Sequence, residues 1–267
     1  MAALPIAVFG ISGRMGQSLI RALREDASLV LSGAVASPGS QSLGKEAAGD
    51  GAATGVLTTA DAHAGLRGAQ VALDFSQAGA VLEHARACAA AHVPLLIGVT
   101  GFDAATRTEL QLIARQIPLL LAPNTSVGVG VLNELAALAA KTLGVGYDVE
   151  IGEAHHRGKR DAPSGTALKL GETVAEARGQ DFGAVAAYDR TTAPQARAAG
   201  SIGFSVLRAG DLIGEHTVTF AAAGERIEII HRATDRMIFA RGALRAAQWL
   251  VLGRPPGLYG MQDVLGL

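Results

Sequence analysis

The apolar positions of the chain follow two regimes, one on each side of residue 125 or so. In the first, short unbroken apolar runs at residues 4–9, 29–36, 71–75, 94–99 and 118–121 predict buried strands. Between them, residues 17–24, 78–91 and 103–116 carry helical periodicity, with Asp103 placed to cap the third helix. Residues 39–55 are rich in Gly, Ala and Ser and read as loop. The strands end in small or polar residues, at Gly10–Gly16, Ser76-Gln77, Gly98–Phe102 and Ala122–Thr125. Strands alternating with helices form a doubly wound parallel sheet, and such sheets bind ligands beyond the C-terminal ends of their strands.

In the second regime, residues 127–143 predict one long apolar helix, and residues 147–154 alternate, with Val149 and Ile151 on one face and Asp148 and Glu150 on the other. A further helix is expected from Pro163 to about Arg178, and residues 181–200 read as loop. Strands at 201–208, 215–220 and 226–231 follow in quick succession, which points to antiparallel pairing. Thr234 or Asp235 then caps a last helix reaching about Leu252. The expected fold is α/β. A Rossmann-like, doubly wound dinucleotide-binding domain spans residues 1–126, and the helix within 236–267 returns to it. An α+β domain with an open, largely antiparallel sheet spans 127–235 and serves substrate binding and oligomerisation. Thr217, Thr219, Ile227 and Ile229 leave the uncovered sheet face partly apolar, so a partner chain is expected there. The two joins, near residues 125–127 and 234–236, are candidate hinges.

A strand, a glycine turn and a helix in succession is the context that gives a dinucleotide fingerprint its meaning. Gly10 takes the tight turn, Gly13 admits a pyrophosphate and Gly16 lets helix pack on strand, although the spacing is GxxGxxG rather than GxGxxG. The second strand ends in Ala36-Ser37-Pro38-Gly39-Ser40, with no acid between Asp26 and Glu46. An acid there would favour NADH and repel the extra phosphate of NADPH. Ser37, Ser40 and Arg14 instead offer donors to that phosphate, so both cofactors are expected, with a modest preference for NADPH.

The densest chemistry lies at residues 153–166, Glu-Ala-His-His-Arg-Gly-Lys-Arg-Asp-Ala-Pro-Ser-Gly-Thr. His155, His156, Arg157, Lys159 and Arg160 crowd together just before a helix N-terminus, where free N–H groups and the helix dipole attract anions. A solvated basic loop is the plain alternative. Asp161 reads as a loop-ordering or capping group rather than a base. No carboxylate or cysteine stands at a usual ligand spacing from His155-His156, so no metal is expected. His63, His84, His92, His216 and His231 read as surface or hydrogen-bonded residues.

Composition narrows the classes. The 267 residues are 49% hydrophobic and 18% charged, with a formal net charge of -1, so no global field favours nucleic acid or an acidic membrane. The single cysteine, Cys88, excludes an internal disulfide. No signal segment is read at the N-terminus, and no apolar run reaches about 18 residues without a charge or turn residue, so a cytoplasmic protein without a membrane span is expected.

The run Glu153–Thr166 matches without a gap the central signature E-x-H-H-x-x-K-x-D-A-P-S-G-T of the dihydrodipicolinate reductase family, which the chain resembles. The resemblance continues through Gly10–Gly16, Gly98–Phe102, Ala122-Pro123-Asn124, Ile202-Gly203-Phe204, Arg208, Gly214-Glu215-His216 and Arg236 to Ala243, nearly the whole chain. Thr125 stands where the family usually has Phe, and Gln77-Ala78 where it usually has x-Pro. The resemblance implies an NAD(P)H-dependent reductase of lysine and diaminopimelate biosynthesis that acts on a small cyclic dicarboxylate as a homotetramer. It implies His155 and Lys159 as the catalytic pair, and His156, Lys159, Gly165 and Thr166 as the dicarboxylate site. It also implies a cofactor site at Gly10, Ile11, Ser12, Gly13, Arg14, Met15, Gly98, Val99, Thr100, Ala122, Pro123, Asn124 and Thr125. The chemistry suits these roles: a hydride leaves electron density on the substrate ring, a histidine or an ammonium supplies the proton that must follow, and an ammonium also steadies the charge. The rivals are a related two-domain dehydrogenase of another small carboxylate and a catalytically silent dinucleotide sensor.

Overall fold

The structure, a computed structural model, describes residues 2–49, 51, 53–191 and 196–267. The chain forms two compact units, one of residues 1–127 and 237–267, the other of residues 128–236.

The first unit begins with β1 (Leu4–Phe9), α1 (Arg14–Glu25), β2 (Leu29–Val35), β3 (Thr58–Thr59), α2 (Ala62–Gly65), β4 (Val71–Asp74), α3 (Val81–Ala90), β5 (Leu95–Ile97), α4 (Ala104–Ile113) and β6 (Pro118–Leu121). Alternation along β1 explains the two helical layers. Ile6 and Val8 point to one face, where they meet Leu19 and Ile20 of α1. Ala7 and Phe9 point to the other, where they meet Val81 and Cys88 of α3 and Leu110 and Ile113 of α4. Asp103 caps α4 as expected, accepting from the Thr106 N–H at 2.8 Å.

The second unit holds α5 (Val127–Leu143), β7 (Asp148–His155), α6 (Gly165–Ala177), α7 (Phe182–Val185), β8 (Ala186–Ala187), β9 (Ile202–Arg208), β10 (Gly214–Ala222) and β11 (Glu225–Ala233). Its sheet runs β11-β10-β7-β9-β8. Three corrections to the sequence reading follow. β9 does not pair with β10; it lies parallel to β7, which separates the two. The short link after β9 crosses the end of β7 instead of turning back, held there by Ala209 N–H to His155 C=O (3.0 Å) and Arg157 N–H to Gly210 C=O (3.2 Å). Second, Ile227 and Ile229 face inward, opposite Phe220 and Val218, whereas the outer face carries Thr217, Thr219 and Ile230. The span 181–200 is not all loop, since it holds α7 and β8; residues 192–195 lie outside the described residues.

Helix α5 continues in a 3₁₀ turn, and Val127–Gly146 is long and apolar enough to cross a membrane by length and composition. Glu134 and Lys141 interrupt it; Leu132, Ala136 and Ala140 are buried with Val149 and Ile151 of the sheet, while Val131, Leu135 and Leu138 on its other face are exposed.

The chain then re-enters the first unit with α8 (Met237–Leu250), β12 (Gly257–Tyr259) and α9 (Met261–Leu265). Strand β12 completes an all-parallel sheet of order β12-β6-β5-β4-β1-β2-β3. Helix α8 packs beside α1 and against the loop after β6, where a Cβ on Gly242 would overlap the Thr125 carbonyl. Gly242→Ala should therefore destabilise this unit by about 1–3 kcal/mol, the cost of overpacking. Gly79→Ala, with nothing within 4 Å, should change stability by less than about 0.5 kcal/mol. Urea unfolding of both variants checks the pair.

Candidate active site

Register builds the first part of the site. Phe9 pairs with Val35 and Asp74, Asp74 with Ile97, and Ile97 with Leu121, so β2, β1, β4, β5 and β6 end on one line. Backbone bonds carry that line into the loops: Gly10 N–H to Val35 C=O (2.9 Å), Phe75 N–H to Phe9 C=O (3.1 Å), Gly98 N–H to Asp74 C=O (2.8 Å) and Ala122 N–H to Ile97 C=O (2.9 Å). Gly10 has φ +79, and a Cβ on it would lie 2.6 Å from the Phe75 carbonyl oxygen, so only glycine fits. Gly16 carries α1 hard against the turn, since a Cβ there would lie 2.5 Å from the Gly10 carbonyl oxygen. Gly13 is the N-cap of α1 and leaves the helix start without a side-chain cap. Ser12, Gly13 and Arg14 are exposed there. An exposed helix N-terminus behind a glycine turn at the C-terminal edge of a parallel sheet fits a dinucleotide pyrophosphate.

The remaining expected cofactor residues divide by burial. Ile11, Val99, Ala122 and Thr125 are buried, so what they can offer a ligand is backbone. The Thr125 hydroxyl is engaged, donating to the Phe239 carbonyl at 2.7 Å. Thr100 and Pro123 are exposed, while Met15, Gly98 and Asn124 are half-buried. Asn124 Oδ1 accepts from the Ser126 N–H at 2.9 Å, which fixes the turn. Among the other histidines, His84 is buried and bonds Asp74 through Nδ1 at 2.8 Å, which orders the loop after β4.

The second unit supplies side-chain chemistry. Glu153, near the end of β7, has a fully buried carboxylate. Arg208, the last residue of β9, grips it with two bonds of 2.7 Å. His155 Nδ1 lies 2.6 Å from Oε2, and the Ser164 N–H donates to Oε1 at 2.9 Å. Ser164 is the N-cap of α6: its Oγ accepts from the Ala167 N–H at 3.2 Å and lies 3.1 Å from His216 Nε2. The His216 and His155 rings meet edge to face at 5.2 Å. Lys159 Nζ pairs with Asp161 Oδ2 at 2.8 Å, and the Asp161 carbonyl accepts from Arg208 at 2.6 Å. Asp161 thus orders the loop, through its side chain and its backbone. His155, Lys159, Ser164 and the start of α6 at Gly165-Thr166 are brought together, with His156 half-buried beside the Gly158 turn.

Each charge has a physical setting. Burial works to raise the Glu153 carboxyl, but hydrogen bonds from Arg208, His155 and the Ser164 N–H outweigh it and hold the group below the usual carboxylate range. Burial pushes His155 below the usual imidazole value; Glu153 pulls it back up, and Lys159 and Arg208 push it further down. Burial, and then the charge of His155, lower His216 to about 4. Glu153, Arg208 and His216 were not singled out as site residues from sequence, because their partners lie up to 55 positions away along the chain. Among the described residues, no group of three or more His, Cys, Asp or Glu is arranged to hold a metal ion.

A nucleotide-binding sheet and a separate unit bearing a histidine–lysine pair at a helix N-terminus define a nicotinamide-dependent oxidoreductase. The family model described as dihydrodipicolinate reductase, N-terminus, matches residues 4–125, and the one described as dihydrodipicolinate reductase, C-terminus, matches residues 128–265. The chain belongs to the dihydrodipicolinate reductase family. It is 51% identical over 263 residues to the 4-hydroxy-tetrahydrodipicolinate reductase of Thiobacillus denitrificans, covering 98% of each chain. It is 50% identical over 264 residues to that of Anaeromyxobacter dehalogenans (strain 2CP-1), covering 98% of this chain and 97% of the relative. A solved dipicolinate-bound dihydrodipicolinate reductase from Paenisporosarcina sp. TG-14 matches with a TM-score of 0.77 at 26% identity, covering 98% of this chain and 99% of that one.

His216 links the site to stability. An imidazole free to protonate near 6.5 when unfolded but held at about 4 when folded makes the unfolded state the better proton binder. Its contribution is complete above the unfolded value and is lost as pH falls from there through about 4, a loss of about 3 kcal/mol at most. Urea unfolding at pH 7 and pH 5 should show wild type weakening more than His216→Gln.

Proposed function

We propose that this chain is a 4-hydroxy-tetrahydrodipicolinate reductase, which uses NADPH or NADH to form tetrahydrodipicolinate for lysine and diaminopimelate synthesis. The observation that carries the reading is that the buried Glu153 carboxylate joins His155 to the capped start of α6, while Arg208 links it to the loop in which Lys159 pairs with Asp161. A dinucleotide, when bound, would supply a hydride to the substrate ring. Gly10, Ile11, Ser12, Gly13, Arg14 and Met15 of the glycine turn, with Gly98, Val99, Thr100, Ala122, Pro123, Asn124 and Thr125 of the neighbouring strand ends, would hold it. The N–H groups of Gly165 and Thr166 take one substrate carboxylate at the positive end of α6. His156 and Lys159 hold the dicarboxylate from the loop. After hydride addition the Lys159 ammonium steadies the electron pair left on the ring, and protonated His155 delivers the proton. The Lys159 ammonium has three donors, so its pairing with Asp161 leaves donors for the incoming carboxylate.

The reading extends to assembly. The outer face of the second sheet carries Ala154, Leu207, Thr217, Thr219 and Ile230, with Leu207 53% and Ile230 42% exposed. That face suits self-association, and a homotetramer in the cytoplasm is the expected working form. A light-scattering mass equal to one 27.2 kDa chain at micromolar concentration excludes it.

The test of function is NADPH oxidation with substrate generated in place by the preceding synthase. Lys159→Ala should lower turnover on the order of 10²-fold, as loss of a charge-stabilising group does. His155→Ala should lower turnover more than it weakens cofactor binding. As the donor is protonated His155, kcat/KM should fall as pH rises through a value below 6.5. Arg14→Ala should raise KM for NADPH and leave that for NADH nearly unchanged. Wild-type turnover in both His155→Ala and Lys159→Ala contradicts the assignment.

A further inference from the structure

The Glu153 carboxylate is saturated. Its two oxygens offer about four acceptor positions. Oε1 receives Arg208 Nη2 and the Ser164 N–H, and Oε2 receives Arg208 Nη1 and His155 Nδ1. No acceptor position remains for substrate or for a travelling proton, so Glu153 is not itself an acid or base. An ionised carboxylate only accepts, so Nδ1 of His155 carries the hydrogen and Nε2 is the nitrogen left for chemistry. The ring is held on its other side too: a Cβ on Gly214 would lie 3.1 Å from Nε2, and His216 stands edge-on to the ring. Arg208 also bonds the carbonyls of Leu207 (2.9 Å) and Asp161 (2.6 Å), and Asp161 holds Lys159.

We infer that Glu153 and Arg208 are positioning residues for the reduction: the neutralised Glu153 carboxylate fixes the His155 ring with Nε2 toward the substrate and ties it to the start of α6, while Arg208 sets the Lys159 loop. The inference rests on the proposed catalytic role of His155. The charged and titratable groups around that ring are Glu153 on its own strand, Arg208 on β9, His216 on β10 and Lys159 in the loop, with His231 of β11 behind His216. Glu153 and Arg208 act on the His155 proton with opposite sign, the first favouring the imidazolium and the second opposing it.

The experiment uses the full chain with histidine labelled in ¹³C and ¹⁵N. Wild-type His155 should show the Nδ1–H tautomer when neutral. Glu153→Gln should abolish that tautomer preference, shift the His155 titration and the kcat/KM profile to lower pH, and cut kcat by about tenfold or more, the scale of a lost ring orientation. Arg208→Met should shift both to higher pH, and the double variant should fall between the two. Should Arg208→Met not fold, Arg208→Lys keeps the charge without the two-pronged grip, and its titration should stay near wild type while kcat falls. Unmoved or same-direction shifts in the Glu153 and Arg208 variants, a wild-type Nε2–H tautomer, or an Arg208→Lys titration displaced as far as that of Glu153→Gln overturns the inference. A wild type with the expected tautomer and shifts but no reductase activity instead overturns the function on which it rests.

Discussion

A buried carboxylate without partners is one of the costliest groups a protein can hold, and the second unit is arranged around satisfying one. Glu153 sits on the inner face of β7, where the pattern of Val149 and Ile151 calls for an apolar residue. Its donors come from three segments: His155 on the same strand, Ser164 at the start of α6 and Arg208 at the end of β9. Antiparallel pairing of β9 with β10 would leave β9 away from that carboxylate. Insertion of β9 parallel to β7 puts His155 and Arg208 side by side. The mixed sheet and the charge are thus one solution, since the strand that completes the sheet also supplies the counter-ion.

The first unit follows a different physical logic. Its rim is made of backbone, positioned by aligned strand ends and by glycines that let segments approach closely. The buried side chains of Ile11, Val99 and Thr125 hold that backbone in place. Loss of one such side chain is a packing event, whereas loss of a donor around Glu153 leaves an uncompensated charge. Substitutions in the two units therefore fail in different ways, one through fit and the other through electrostatics.

The same contrast explains what could be read from sequence. Strand runs and helix periodicity are local, so β1, β2, β4, β5, β6 and α5 were visible at nearly their true bounds, and the capping role of Asp103 needed only a few neighbouring residues, whereas the cap of α6 proved to be Ser164. The glycine turn was visible because its context is contiguous. Strand pairing in the second unit was not, because a short link predicts a hairpin unless its own backbone bonds carry it across another strand, as Ala209 and Gly210 do. The inward facing of Ile227 and Ile229 followed from a register that sequence does not disclose. Short edge elements such as β3, β8 and β12 offer two or three residues of pattern, too few to be read. Glu153 lay in plain view within the signature, but its role depends on an arginine 55 positions away.

The two neighbouring histidines have different partners, a carboxylate for His155 and a hydroxyl for His216. His155 and His216 stand 5.2 Å apart, so protonating one opposes protonating the other. Only His155 has a carboxylate against it; His216 faces the Ser164 hydroxyl. That hydroxyl accepts the Ala167 N–H to cap α6 and lies 3.1 Å from His216 Nε2, a hydrogen bond that either atom can donate according to the imidazole tautomer. Burial of His216 opposes a charge on that ring, so of the two imidazoles it is His155, the ring held by Glu153, whose surroundings favour the positive charge more.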